Sequence, residues 1–454
     1  MQGHPEEING DESVSKTFWR FAIPSIAAMV ISGIYQVIDG IFVGIYIGFE
    51  GLAGINMAWP ILGSIMGIGI MIGMGGGALM SIYRGERQRE KVSRTLSSAL
   101  GLIALFGLMS SFVLALSIDE LLQLQGAKGE PLRLASEYLN IFIYAAVFTI
   151  ASGALPMLVR NDNSPKVATA LTIIGAVTNI LLDYLLIGVF DMALKGAAIA
   201  TVISQALILL LALGYFLSSM STIKLTVYSI RIELLMKITS LGASSLFMFM
   251  YFSFITALHN KLFMLHGSAV HVGAFAIVGY MATIYYLFAE GLASGMQPPV
   301  SYFFGAKKYS KVEQTVKLAF KVIVVSGIGA VIILNAFPAQ IIQVFAQGDN
   351  TLLEAAVQGV RLHLFALYLD GFIFLASVYF MAVGKGMYAL LVSVGNILIQ
   401  VPFLYLLPQW LSVEGVWLSV PLSNITLILV IAPLLCRDVI KMRKRSANSE
   451  LILA

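Results

Sequence analysis

The sequence Asn179-Ile-Leu-Leu-Asp183 lies inside an apolar run from about Val167 to Phe190. Residues i and i+4 share one face of a helix, so the amide and the carboxylate point the same way. An ionised carboxylate inside a membrane is costly and is rarely retained for stability alone. The stretch therefore predicts a membrane helix that carries a functional acid.

The composition predicts an integral membrane protein built from helices. The chain has 454 residues, of which 59% are hydrophobic and 11% charged, and a mean hydropathy of +0.89. Soluble domains are about 25% charged. Because the sequence lacks strand-like alternation, helices must satisfy the backbone inside the membrane. Twelve spans are predicted, at about residues 18–48, 52–80, 95–117, 134–158, 167–190, 196–217, 239–264, 272–303, 316–338, 358–383, 387–408 and 415–435.

The basic residues predict which side of the membrane each loop occupies. Most of the 28 Lys and Arg residues fall near the N-terminus, in the loops after the even-numbered spans, or in the C-terminal tail. Arg160, for example, is assigned to the loop after the fourth span. The exceptions are Lys128, Arg133, Lys195, Lys261 and Arg361. The positive-inside rule then predicts that both termini lie in the cytoplasm.

Three sequence segments recur at offsets of 217 to 220 residues. They pair Gly85–Val92 with Gly305–Val312, Asn179–Asp183 with Asn396–Gln400, and Gly196–Ser204 with Gly415–Ser423. Each half holds six predicted spans, so both halves insert with the same orientation and are related by an axis along the membrane normal. The sequence thus predicts two six-helix bundles, residues 1–217 and 239–454, with a cytoplasmic linker at 218–238. This is transporter architecture.

The oxygen-bearing side chains inside the spans are the candidate functional residues. Asn179 and Asp183, with Thr201 on the next span, supply hard ligands for a small cation. Desolvated carboxylates could instead exchange protons, or could simply hydrogen-bond neighbouring helices. In the second copy of the repeat, Gln400 replaces Asp183 and Val420 replaces Thr201. Carboxylate chemistry is therefore expected in the N-terminal half.

Three other acids lie inside predicted spans. Asp39 is on the first span, one helical turn beyond Tyr35, and Pro24 on the same span removes a backbone hydrogen bond and permits a bend. We expect Asp39 to act with Asp183, and a bend near Pro24 to respond to its protonation. Glu290 and Asp370 form a second candidate site in the C-terminal half, although each could instead hydrogen-bond within that half.

Several other activities have no support in the sequence. The run Gly73-Met-Gly-Gly-Gly-Ala78 has the spacing of a dinucleotide fingerprint, but it follows no strand and lies in an apolar span. No P-loop and no zinc-protease or serine-hydrolase motif is present, so neither ATP-driven transport nor an enzyme is expected. Cys436 is the only cysteine, which excludes an intramolecular disulfide. His259 aligns with Asp39 but is interpreted as an ordinary interfacial histidine.

The motifs together resemble the multidrug and toxic compound extrusion (MATE) family. The similarity to its first two helices is carried by Pro24, Tyr35–Gly44, Gly48, Leu52–Gly54 and Pro60. The similarity to its fifth, sixth and eighth helices is carried by Asn179–Ile187, Gly196–Thr201 and Gln297–Lys307. The resemblance implies a twelve-helix, two-bundle exporter of organic cations that is driven by inward H⁺ or Na⁺.

The resemblance also assigns roles to individual residues. The family's N-terminal coupling site is matched by Asp39, Asn179, Asp183 and Thr201, with Na⁺ expected at the last three. Tyr35 and Pro24 match residues tied to bending of the first helix. Asp370 matches an acid of the NorM-like branch. The glutamate that this branch carries on its seventh helix is missing from Ser244–Phe252, which favours a DinF-like member.

The expected function is that of a secondary-active multidrug efflux antiporter of the bacterial inner membrane. Amphipathic cationic small molecules would be exported, and membrane lipids would surround the chain. The only cofactor expected is the coupling ion, H⁺ or Na⁺; no nucleic acid or ATPase subunit is expected, and the chain should be monomeric. A flippase for lipids or lipid-linked saccharides is the alternative within the superfamily, and a membrane-embedded enzyme or scaffold is the alternative from another class.

Overall fold

The computed structural model describes residue 8 and residues 12–125, 129–223, 231–346 and 350–453. Regular structure in these ranges is helical, which confirms the predicted all-α fold. The helices are α1 (Val14–Tyr46), α2 (Phe49–Gly85), α3 (Arg89–Leu124), α4 (Gly129–Phe142), α5 (Ala146–Asn161), α6 (Pro165–Asp183), α7 (Ala193–Leu217), α8 (Ile232–His266), α9 (Ala269–Gly305), α10 (Tyr309–Ala336), α11 (Pro338–Ala346), α12 (Asn350–His363), α13 (Leu367–Ala382) and α14 (Gly386–Leu453). Lys128 and residues 224–230 of the predicted linker lie outside the described residues. We call α1–α7 the N-terminal half and α8–α14 the C-terminal half.

The helices are long enough to form a multi-span membrane protein. In the described ranges, nine helices are long and apolar enough to cross a membrane. The pairs α4–α5 and α12–α13 are bent by 68° and 49°, and counting each pair as one span gives up to eleven. Two predicted spans, 134–158 and 358–383, are therefore broken near their middle rather than straight.

Helix α14 counts once among these spans, but its chain reverses direction. Ser412 has φ 51° and ψ −130°, outside the helical region. The Ser419 hydroxyl donates to the Phe403 carbonyl at 3.1 Å, whereas a straight helix would separate residues 16 apart by about 24 Å. Residues 386–411 and 413–453 are thus two arms, and counting them separately gives twelve segments in the order of the predicted spans.

Helix α2 lies at the centre of the molecule and packs against α3, α5, α8 and α9. Its glycine-rich run explains how it does so. A Cβ atom at Gly75 would collide with the Ile238 carbonyl oxygen of α8, and one at Gly77 would collide with the Asn161 side chain of α5. The glycines that mimic a dinucleotide fingerprint therefore allow close helix packing.

Contacts between the halves occur at the end of the bundle that carries the start of α1. A Cβ atom at Gly85 of α2 would collide with the Tyr302 carbonyl oxygen of α9, and one at Gly305 would collide with the Ile82 carbonyl oxygen. Gly295 of α9 packs in the same way against Ala22 of α1. The backbones of the two halves are thus in direct contact at this end.

Candidate functional site

Asp39 and Asp183 come together between α1 and α6. The two carboxyl groups lie next to each other and interact electrostatically. Asp183 is fully buried, and Asn179, one turn earlier on α6, is 2% exposed. The predicted pairing of Asp39 with the Asn179–Asp183 face is therefore present in the structure.

The oxygens of this cluster lack donors. Asp39 Oδ1, both carboxyl oxygens of Asp183 and Asn179 Oδ1 are buried and accept no hydrogen bond from any described residue. Thr201 on α7 receives a hydrogen bond from the Asn179 side-chain nitrogen at 3.4 Å, which leaves the Asn179 oxygen available. Buried polar oxygens are normally satisfied, so this set fits a proton or a small hard cation such as Na⁺.

The local backbone helps to shape this site. Asp183 ends α6, and the chain continues as a π-helical segment from Tyr184 to Val189. Wide turns of this kind occur frequently at functional sites because they redirect side chains and free backbone groups. The segment contains Gly188, where a Cβ atom would lie 3.2 Å from the hydroxyl of Tyr46 at the end of α1. The π-helical segment therefore lets α1 approach α6 at the outer end of the site.

Two tyrosines border the acids. Tyr35, predicted from its place on α1, interacts electrostatically with both Asp39 and Asp183. Tyr138 on α4 was not predicted; it is 5% exposed, and its hydroxyl faces Thr201 and the two carboxyl groups. The bend between α4 and α5 orients Tyr138, and no periodic pattern in the sequence reports that bend. The site thus draws on α1, α4, α6 and α7.

Pro24 lies within α1, which is continuous through it. The Pro24 carbonyl accepts a hydrogen bond from the Thr169 hydroxyl of α6 at 2.7 Å. This contact ties the proline segment of α1 to the helix that carries Asn179 and Asp183. No sequence pattern indicates it, because Thr169 and Pro24 are distant along the chain.

The equivalent positions in the C-terminal half are arranged differently. Gln400 is buried and its side-chain oxygen accepts a hydrogen bond from the Tyr251 hydroxyl. His259 is also buried, donates from its ring to the Ile255 carbonyl at 2.9 Å, and stacks on Phe275 with ring centroids 4.8 Å apart. Its interpretation as a packed histidine agrees with these contacts.

Asp370 and Glu290 lie in different surroundings. Asp370 on α13 accepts a hydrogen bond from the Asn424 side chain at 2.6 Å and a long one from the Tyr286 hydroxyl at 3.5 Å. Glu290 on α9 interacts electrostatically with Arg160 of α5. Asn424 was missed in the sequence, where it reads as one more polar residue in an apolar helix.

Known proteins identify the family. The MatE family model matches residues 24–185 and 241–406. The chain belongs to the MATE family. This confirms the family predicted from the motifs and places the chain among transporters rather than enzymes.

Individual relatives of this MATE chain agree with the assignment. The multidrug export protein MepA of Staphylococcus saprophyticus is 25% identical over 406 residues, which are 89% of either chain. The outward-facing conformation of a multidrug resistance MATE family transporter of the MOP superfamily is 22% identical, with a TM-score of 0.89 over 95% of this chain and 97% of that one. A MATE protein crystallised in the bent conformation is also 22% identical, with a TM-score of 0.89 over 96% and 98% of the two chains. The structural likeness shows that the fold is shared.

The structure corrects the prediction for Arg160. The sequence assigned it to a loop, but this MATE chain holds it in the last turn of α5, where it is only 4% exposed. The signal was misleading because a basic residue at the end of an apolar run is typical of a membrane boundary. No group of three or more His, Cys, Asp or Glu residues that could hold a metal occurs in the described part of the chain.

Proposed function

We propose that this MATE chain is a secondary-active multidrug exporter that exchanges amphipathic organic cations for H⁺ or Na⁺. The observation that carries the proposal is the Asp39–Asp183–Asn179 cluster, with four buried oxygens that no described residue satisfies. Two adjacent carboxylates in a membrane interior repel each other and are poorly solvated. Binding a proton or Na⁺ removes that cost, and so the cluster responds to the coupling ion.

The response would reach α1 by two routes. Asp39 lies on α1 itself, and the Thr169 hydroxyl on α6 holds the Pro24 carbonyl. Proline leaves one carbonyl of the preceding turn without its helical donor, so α1 can bend there at low cost. Ion binding would bend α1 near Pro24, shrink the cavity and release substrate outward. Exchange follows if substrate and ion prefer different conformations.

We further propose two six-helix bundles, residues 1–217 and 239–454, joined by residues 218–238. The two matches to the family model begin 217 residues apart, at 24 and 241. Hydrogen bonds at equivalent positions support the same division: Thr149 donates to Gln205 at 2.8 Å, and Asn424 donates to Asp370 at 2.6 Å. The ion site would belong to the first bundle only.

The setting of the protein follows from its charges and relatives. We propose a monomer in the bacterial inner membrane with both termini in the cytoplasm, as the basic loops indicate. The relatives named as multidrug exporters are bacterial, which supports the location and the substrate class. The sequence of residues 244–252 on α8 contains no acid to accompany Asp370, which supports a DinF-like branch with Asp370 and Glu290 in supporting roles.

The test is dye efflux from proteoliposomes with a Na⁺ gradient and a pH gradient imposed separately. Wild-type protein should respond to at least one gradient, and Asp39→Asn and Asp183→Asn should each reduce efflux to the level of empty liposomes. Asp119→Asn is the matched control, because that acid on α3 accepts a hydrogen bond from the exposed Ser136 at 2.8 Å, away from the cluster. Wild-type efflux in both Asp39→Asn and Asp183→Asn would contradict the mechanism.

A further inference from the structure

Arg160 is a buried charge without an obvious partner. It ends α5 and is 4% exposed. Its side chain makes no hydrogen bond and no ion pair within 4.0 Å to the residues that the structure describes. The next two residues differ, since Asn161 and Asp162 are held by several hydrogen bonds. Buried arginines are almost always paired, so Arg160 calls for an explanation.

The charge that faces Arg160 is Glu290 of α9, in the opposite half of the molecule. The two groups interact electrostatically without forming a direct ion pair. Glu290 and Gln297 are seven residues apart and so lie on one face of α9, about two turns or 10.5 Å from each other. Gln297 is fixed against Asn161, which places Arg160 beside the same face. The guanidinium and the carboxylate therefore face each other across the boundary between the halves.

A closed polar contact lies beneath this pair, toward the start of α1. Asn161 donates to Gln297 at 3.0 Å, and Gln297 donates back to Asn161 at 3.1 Å. Ser81 donates to the Asn161 side-chain oxygen at 2.7 Å, and Ser301 accepts from Gln297 at 3.0 Å. These four side chains are all buried. They close the molecule on one side of Arg160 and Glu290.

Helix α1 bounds the pair on another side. Gly291, the residue after Glu290, packs so closely on α1 that a Cβ atom would lie 2.5 Å from the Cα of Ile26. This segment of α1 includes Pro24, where we propose that the helix bends. The surroundings of Glu290 would therefore change when α1 moves, as expected of a substrate site in an exporter.

We propose that Arg160 and Glu290 form a binding site for zwitterionic amphiphiles, with the anionic group of the ligand on the guanidinium and the cationic group on the carboxylate. Each protein charge is desolvated and lacks a direct counter-ion among the described residues, which is costly. A ligand with both charges satisfies both groups, and a guanidinium binds carboxylates and phosphates especially well. A simple organic cation would satisfy Glu290 alone and be repelled by Arg160. The inference rests on the proposed drug export and extends its substrates from cations to zwitterions.

The experiment compares two dyes that differ in one charge. The zwitterionic free acid of a rhodamine and its cationic ethyl ester are titrated with the purified full-length chain in detergent, without any ion gradient, and binding is followed by fluorescence polarisation. Wild-type protein should bind the acid about tenfold more tightly than the ester, since a hydrogen bond to a charged group contributes that much. Arg160→Gln should abolish the preference and leave ester binding intact or stronger. Glu290→Gln should weaken binding of both dyes.

Controls separate the site from general effects. Arg133→Gln is the matched arginine control, because Arg133 is exposed and bound to Glu130 and Glu137 on its own helix; it should leave both affinities unchanged. Arg160→Lys should keep part of the preference for the acid, and it serves where Arg160→Gln does not fold. The ratio of the two affinities does not depend on the active fraction of the sample.

Three results would overturn the proposal. Equal affinities of wild-type protein for acid and ester, or an unchanged preference in Arg160→Gln, would each contradict this site and leave cation export standing. Failure of wild-type protein to bind either dye would contradict this site and the proposed drug export together. Loss of ion coupling in liposomes would contradict only the antiport mechanism, because the binding measurement uses no gradient.

Discussion

Residues 179–201 of the N-terminal half and residues 396–420 of the C-terminal half repeat the same sequence pattern with different chemistry. In the first, Asp183 is buried beside Asp39, and neither of its carboxyl oxygens accepts a hydrogen bond from a described residue. In the second, Gln400 accepts a hydrogen bond from Tyr251, and His259 stands at the position of Asp39 among aromatic rings. The repeat keeps the positions and changes the side chains.

The comparison shows how one fold can hold a reactive site and a structural one at equivalent places. A carboxylate with unsatisfied oxygens destabilises the region that contains it unless an ion is bound. An amide at the same position is neutral and carries its own donors, so it needs no ion. Only one half therefore has a built-in reason to change shape when the ion concentration changes.

Exchanging the chemistry of the two halves should give the largest effect. Asp183→Gln copies the C-terminal residue into the N-terminal site and should abolish gradient-driven dye efflux, because the remaining Asp39 no longer has a carboxyl partner. Gln400→Asp makes the reverse change and should create no new ion dependence, since no second acid is expected beside it. Both are measured in proteoliposomes. An active Asp183→Gln variant would show that the asymmetry does not matter for coupling.

Thr201→Val copies Val420 into the N-terminal site and should have an intermediate effect that depends on the ion. If Na⁺ is bound by Asn179, Asp183 and Thr201, loss of the hydroxyl should raise the half-saturating Na⁺ concentration about tenfold, as expected for one hydrogen-bonding or ligand group near a charge. Efflux driven by a pH gradient should change little. Equal losses with both gradients would instead assign Thr201 a structural role.

The smallest effects are expected at a pair of contacts that the two halves share. Asn424→Leu removes the donor to Asp370, and Gln205→Leu removes the acceptor of Thr149. A buried polar group left without its partner costs about 1–3 kcal/mol, and more if the group is charged. Asn424→Leu should therefore lower the melting temperature of the purified protein more than Gln205→Leu does. The opposite order would mean that Asp370 is not the more demanding partner.

The sequence predicted the features that depend on local patterns. Apolar runs longer than a membrane is thick predicted the spans, and the i to i+4 spacing predicted that Asn179 and Asp183 share one face of a helix. The repeat revealed the exchange of Asp183 for Gln400. The resemblance to the MATE family supplied Asp39, Tyr35 and Thr201 as partners, and the structure brings these residues together.

Contacts between distant segments could be read only from the tertiary structure. The bends at the ends of α4 and α12, the approach of Tyr138 to Thr201, and the Thr169–Pro24 hydrogen bond have no periodic signal. Arg160 was assigned to a loop, although the end of α5 buries it opposite Glu290. Hydrophobic periodicity reports which face of a single helix avoids water, whereas the neighbours of that face depend on how helices bend and cross. The sequence by itself therefore determined the spans and the acid at residue 183, and only the packing of the helices decided which groups surround that acid.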